Sequence, residues 1–225
     1  MKVKVGFVAA LGVYAALMPF APVSAQAQTE RFYFKFDAGG NITTVTELKE
    51  FLGPVPPGSK IKFNPGIRMG FAGGFQMTPW FAAEAETGFM GNWMDTVTGA
   101  THVDANFSNV PFLINAKFQF PRFHNITPYF GGGGGGSIAV LDAHDLDVGG
   151  VHIDGTDSTA VFAYQAFGGI RFRLNEQMGL SVEYRYFATT EPSWTATETF
   201  GTASDKIRFG TVATHAISLA FDWRF

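Results

Sequence analysis

The sequence predicts an all-β fold, an eight-stranded antiparallel up-and-down barrel that crosses a membrane. Three observations carry this. Apolar and polar residues alternate with period two in several segments, the connections between them alternate short and long, and the chain holds 25 Phe and 27 Gly with only 16% charged residues. Period two places successive side chains on opposite faces of a strand. The 225 residues suit one domain. A formal net charge of -3 without a Lys/Arg cluster gives no electrostatic footprint for nucleic acid. The absence of cysteine removes disulfide scaffolds, thiolate zinc sites and cysteine nucleophiles together.

The first segment is an address. Lys2 and Lys4 precede an uncharged run of 14 residues, Val5 to Met18, too short for a stable spanning helix and suited to the apolar region of a secretory signal. Small residues at Val23-Ser24-Ala25 and Ala25-Gln26-Ala27 predict cleavage after Ala25 or Ala27. The expected division is a leader over 1–27 and a barrel over 28–225.

The strands follow in order. Phe32, Phe34 and Phe36 alternate with Tyr33, Lys35 and Asp37, and Ile67, Met69, Phe71, Phe75 and Met77 with Arg68, Gly70, Gly74 and Gln76. Phe81, Ala83, Ala85 and Phe89 alternate with Glu84, Glu86 and Gly88, then Phe112, Ile114, Ala116, Phe118 and Phe120 with Asn115, Lys117 and Gln119. A Gly-rich run, Tyr129 to Leu141, is a fifth strand of unassigned phase. Tyr164, Ala166, Ile170 and Phe172 oppose Gln165, Gly169, Arg171 and Arg173; Leu180, Val182, Tyr184 and Tyr186 oppose Ser181, Glu183 and Arg185. The last strand sets Ile217, Leu219, Phe221, Trp223 and Phe225 against Ser218, Ala220, Asp222 and Arg224.

Alternation alone fits a soluble barrel with an apolar interior equally well. The connections break the tie. They are brief at Thr78-Pro79, 121–127 and 174–177, but long at about 40–60, 92–105, 142–157 and 189–207. Short turns at one end and long loops at the other, with an even strand number, are the layout of a transmembrane barrel. Trp80, Phe120, Tyr129, Tyr186 and Trp223 near predicted strand ends suit interfacial girdles.

Thr127-Pro128-Tyr129-Phe130 running into Gly131 to Gly136 resembles a strand opening of small OmpA-like or opacity-type outer-membrane barrels. Val110-Pro111-Phe112-Leu113 resembles the start of the preceding strand, and Phe162 to Phe187 the penultimate hairpin. The resemblance implies a bacterial outer-membrane location, with termini in the periplasm and four surface loops. It also implies that Leu219, Phe221, Trp223 and Phe225 are the signal read by the outer-membrane assembly machinery. OmpA itself carries a peptidoglycan-binding domain after its barrel, and none is expected here.

Ten charged residues fall on the inward face: Arg68, Glu84, Glu86, Lys117, Arg171, Arg173, Glu183, Arg185, Asp222 and Arg224. Eight strands leave room for little more than side chains, so these predict an interleaved ion-pair network filling the lumen; the alternative is a narrow or gated pore. Arg171 and Glu183 are expected to face each other across a hairpin centred near Gln177. The third long loop collects five aspartates and two histidines, His144 and His152, without EF-hand order, and is read as solvated, with no metal or other cofactor.

His215 and Ser218 lie three apart on a strand, hence on opposite faces, and no nucleophile–base arrangement emerges. No enzyme is expected. The six glycines lack the Lys-Ser or helix start of a phosphate loop and predict close approach of bulky lumen side chains to a bare strand. Thr46 is positioned to cap a helical turn over 47–52, stopped by Gly53 and Pro54 and set either against the barrel rim or against a partner. The functional expectation is a structural or surface-interaction role, in contact with bilayer lipid, lipopolysaccharide and a surface or host partner. The alternatives are a small-solute porin and an exported soluble ligand-binding barrel.

Overall fold

The computed structural model describes residues 31–148, 150–197 and 204–225. The expected leader lies outside the described residues. The strands are β1 (Phe32–Thr43), β2 (Thr46–Phe51), β3 (Lys60–Phe63), β4 (Gly66–Thr78), β5 (Phe81–Val97), β6 (Ala100–Gln119), β7 (Ile126–Val148), β8 (Val151–Arg173), β9 (Met178–Thr189), β10 (Ser193–Thr197), β11 (Ser204–Phe209) and β12 (Val212–Arg224). Among the described residues there is no helix.

Eight of these strands close a ring. β1 pairs with β4, pairing continues through β5, β6, β7, β8 and β9 to β12, and β12 returns to β1 with Phe221 opposite Phe36 and Asp222 opposite Lys35. All pairings are antiparallel, as the alternation predicted. Closure matters because an open edge in hydrocarbon would leave unpaired N–H and C=O groups at several kcal/mol each. The predicted outward face is outward: Phe34, Phe71, Ile114, Ile217 and Leu219 are all more than half exposed. The opposite face, from Lys35 and Asp37 to Glu183 and Asp222, is buried. A soluble barrel would expose the second set and bury the first.

Aromatics ring both ends of the apolar band. At the turn end, Trp80 stacks on Phe118, and Phe118 on Phe130. At the far end, Tyr184 and Tyr186 meet the His215 ring, with the Tyr184 hydroxyl 2.7 Å from His215 Nδ1. Tyr129, expected in a girdle, instead turns into the lumen and is 4% exposed. The odd residues of β7, Tyr129 through Ser137 and Leu141, face inward, which settles the phase that the glycine run concealed.

Those inward glycines make room for bulky neighbours. A Cβ on Gly133 would lie 2.1 Å from the Ile114 carbonyl oxygen and 2.2 Å from Asn115 Oδ1, whereas one on outward Gly136 would meet nothing within 4 Å. Gly133→Ala is therefore expected to cost about 1–3 kcal/mol by overpacking. Gly136→Ala is expected to stay within about 0.5 kcal/mol of the parent. Urea unfolding of the refolded variants in detergent measures both, and equal effects would refute the assignment of faces.

The connections at the far end depart from expectation. The segments 92–105 and 142–157 are not loops: β5, β6, β7 and β8 run on as strands beyond the apolar band, with turns at Gly99 and Gly150. Gly99 has φ +83, which the tight turn needs and other residues rarely adopt. The helical turn after Thr46 is also absent. Thr46 to Phe51 is strand β2, with Thr46, Leu48 and Phe51 buried, paired to β3 on one side and β11 on the other.

These extra strands build a second storey. The order β10-β11-β2-β3-β5-β6-β7-β8 nearly rings the far end, with the Thr195 N–H donating to Asp157 Oδ2 between β10 and β8 (3.2 Å). Its interior is apolar: Leu48, Phe51, Ile61, Phe107, Leu141, Ile153, Trp194, Ile207 and Phe209 form one cluster. Arg208 pairs with Glu50 at 3.3 Å and Lys49 with Glu191, tying the two strand-bearing connections together. The hydrogen bond from Lys49 holds the Glu191 carboxyl below the usual carboxylate range. The polarity of the molecule thus inverts along its axis, polar inside and apolar outside below, the reverse above.

Candidate functional site

The site is the lumen of the lower storey. Its residues come from alternate positions of seven ring strands, so each is aimed inward by strand parity rather than by local turns. Two layers interlock. In the first, Glu84 accepts from the Tyr33 hydroxyl (2.6 Å) and Lys117 Nζ (3.0 Å), while Glu183 accepts from Lys35 Nζ (3.1 Å), the Tyr129 hydroxyl (2.9 Å) and Arg185. In the second, Arg68 donates to Asp37 (2.9 Å) and Glu86 (2.8 Å), and Arg185 lies 2.8 Å from Glu86. Asn115 and Gln165 also donate to Glu86, at 2.8 and 2.9 Å.

The charges in these layers balance: Lys35, Arg68, Lys117 and Arg185 against Asp37, Glu84, Glu86 and Glu183, every one at most 5% exposed. The cations also sit on ring faces. Lys117 is 4.6 Å from the Tyr129 centroid and Arg185 4.8 Å from that of Phe167. Such partners are what a buried charge requires, since an unpaired one costs several kcal/mol. Above them Met90, Leu113, Ala163 and Phe187 form an apolar layer, followed by the hydrogen-bonded Thr43, Asn92 and Thr214.

Of the ten charged residues predicted for the lumen, six (Arg68, Glu84, Glu86, Lys117, Glu183 and Arg185) meet in this network. The other four lie toward the turn end. Arg171 pairs with Asp222 at 2.7 Å, Arg224 reaches Asp222 at 3.8 Å, and Arg173 pairs with Glu176. Arg171 does not face Glu183: it registers with Ser181, and Glu183 with Gly169. The cause is local. Asn175 Oδ1 accepts from the N–H groups of Gln177 and Met178, an Asx-type closure that centres the turn one residue earlier than expected.

Lys35 and Asp37 were not among the ten, though their alternation with Phe34 and Phe36 marks the same face. Leu219, Phe221, Trp223 and Phe225 lie outward in the apolar band. His102 and His152 both approach Asp145, at 3.7 and 3.2 Å, on a hairpin surface rather than in a loop. Among the described residues no group of three His, Asp or Glu could hold a metal ion. Ser218 is buried in the lumen and His215 sits on the outer wall, opposite sides of one strand.

A closed antiparallel ring, apolar to its surroundings and ionically satisfied within, defines a transmembrane β-barrel. The chain belongs to the family of the outer membrane protein beta-barrel domain, whose model matches residues 13–225, and it is a protein of the bacterial outer membrane. Its fold is similar to that of OprG from Pseudomonas aeruginosa, at 13% identity and a TM-score of 0.62, over 87% of this chain and 98% of that one. It is also similar to Neisserial surface protein A, at 13% and 0.53, over 86% and 97%. A third likeness is to the outer membrane protease OmpT from Escherichia coli, at 7% and 0.52, over 90% and 99%. At these identities the likeness concerns the fold alone. No curated protein sequence matches significantly.

Proposed function

We propose that this barrel is a non-conducting, non-catalytic anchor whose work is done by its upper storey, a rigid platform held outside the cell for contact with other surfaces. The observation that supports this reading is that two buried clusters follow one another along the axis. The charge-balanced network fills the lower lumen, and the Trp194-centred apolar core lies above it. A water-filled path would need a gap through both. The expected alternative of a soluble ligand-binding barrel is set aside by the lipid-facing band.

The platform is charged and two-sided. Asp142, Asp145, Asp147, Asp154 and Asp157 lie on the β7–β8 hairpin, while Lys49, Lys60, Lys62, Lys206 and Arg208 lie on β2, β3 and β11, where they outnumber Glu47, Glu50 and Asp205. The basic side suits phosphate groups of lipopolysaccharide, and the acidic side a basic surface or host partner. Connections held by a rigid scaffold commonly carry binding residues, and here paired strands within the connections supply the rigidity. Leu219, Phe221, Trp223 and Phe225 serve, on this reading, as the pattern read by the assembly machinery. Purified protein in planar bilayers is expected to give no stable nanosiemens-scale openings. Stable openings in the parent protein would overturn the plugged reading and favour the narrow porin.

A further inference from the structure

The turn end of the barrel holds a cavity of about 640 Å³ whose lining includes Arg31, Arg122, Arg171, Arg173, Arg224 and one acid, Glu176. Short turns of such barrels point to the periplasm. From its position and charge we infer that this cavity is a periplasmic binding site for a small polyanion bearing two or more phosphate or carboxylate groups.

Charge is the first argument. Among the described residues, the five guanidinium groups of the lining face two side-chain carboxylates, Glu176 and Asp222, through the Arg173–Glu176 and Arg171–Asp222 pairs and the longer Arg224–Asp222 contact, and Arg224 has a further interaction of its own. Arg31 and Arg122 form no ion pair with any described residue. Elsewhere in the lumen, cations and anions match one for one. An excess of positive charge confined to one cavity is therefore a departure from the rule that governs the rest of the interior.

Shape is the second. Gln119 Nε2 donates to Gln76 Oε1 at 2.6 Å, and Arg224 donates to Gln119 beneath the Tyr33 ring. These contacts lie between the cavity and the ionic layers, so the cavity is a blind vestibule that opens on one side. It suits retention of a ligand rather than its passage. Its volume falls in the range of small-molecule sites and exceeds what a single halide or phosphate would fill. Guanidinium forks bind carboxylate and phosphate bidentately, and several of them converging select for more than one such group.

The same chemistry is offered by a soluble anion and by the phosphate of an inner-leaflet lipid. Calorimetric titration of the full chain, refolded in dodecyl maltoside, with inorganic tripolyphosphate tests the site. Binding is expected, weakening steeply between 50 and about 500 mM salt as screening grows, and falling at least tenfold in the Arg31→Gln/Arg122→Gln double variant. Those two side chains make no fold-holding contact, so the heat-modifiable gel shift should be unchanged in the variant. No binding to the parent, or undiminished binding to a folded double variant, overturns the inference. Competition with phosphatidylglycerol micelles then names the source: displacement assigns the site to a lipid headgroup, and its absence to a soluble anion, and both support the site.

Discussion

Replacing Glu86 by alanine is expected to lower the unfolding free energy of the barrel by about 3–5 kcal/mol, the cost of stranding buried charge. Glu86 is the acceptor that Arg68, Arg185, Asn115 and Gln165 share, with contacts of 2.8–2.9 Å. Without it Arg68 keeps Asp37 and Arg185 keeps Glu183, but four buried cations face three buried anions. The same reasoning gives a control. Removing one charge of each sign, as in Glu86→Leu with Arg185→Met, restores balance and should recover most of the loss, because apolar replacement of a buried pair is often near neutral. Urea titration in detergent micelles, followed by tryptophan fluorescence and gel shift, measures both. A single variant within about 1 kcal/mol of the parent would show that the network does not hold the lumen.

Trp194→Ala is expected to cost a similar amount, about 3–5 kcal/mol, but in the upper storey only. Trp194 is 2% exposed, packs against Phe209 at 4.9 Å and Phe107 at 6.1 Å between ring centroids, and donates from Nε1 to the Ala139 carbonyl at 3.1 Å. It comes from β10, the strand at the open side of the upper ring. Its removal empties the centre of the apolar cluster and leaves the Ala139 oxygen without this donor. Its partners on the ring strands, Phe107 of β6 and Ala139 of β7, belong to the upper apolar cluster and not to the ionic layers. Limited proteolysis of the variant should therefore cut the β10 and β11 region rapidly, while the heat-modifiable shift of the barrel persists. Loss of the shift along with the protease protection would show that the two storeys fold as one unit.

The contrast between these two residues explains what was legible beforehand. Glu86 is assignable to the lumen because Ala83, Ala85 and Phe89 on its strand take the other face, and parity along a strand needs no knowledge of the rest of the molecule. Lys35 and Asp37 were equally legible by the same rule, between Phe34 and Phe36. Trp194 was not. It lies in a stretch read as a long loop, and its strand is only Ser193–Thr197, too short to show a period of its own. The helical turn after Thr46 failed for a related reason. A local capping pattern favoured it, while pairing with β3 and β11 and burial of Leu48 and Phe51 outweighed that preference.

Register was the other loss. Parity survives any shift by two residues, so Arg171 was placed on the correct face yet opposite the wrong partner. Two hydrogen bonds to Asn175 decided the difference.

What the sequence by itself determined is the division of seven of the eight ring strands into two faces and the number of crossings, since these follow from period two and the turn residues between strands. Which face is interior at a given height was decided only by the tertiary structure. Below, the medium is hydrocarbon and the polar face turns in; above, it is water, and the added strands bring an apolar face inward to bury it. The same alternation serves both storeys, because a strand records the difference between its faces and not the solvent that each will meet.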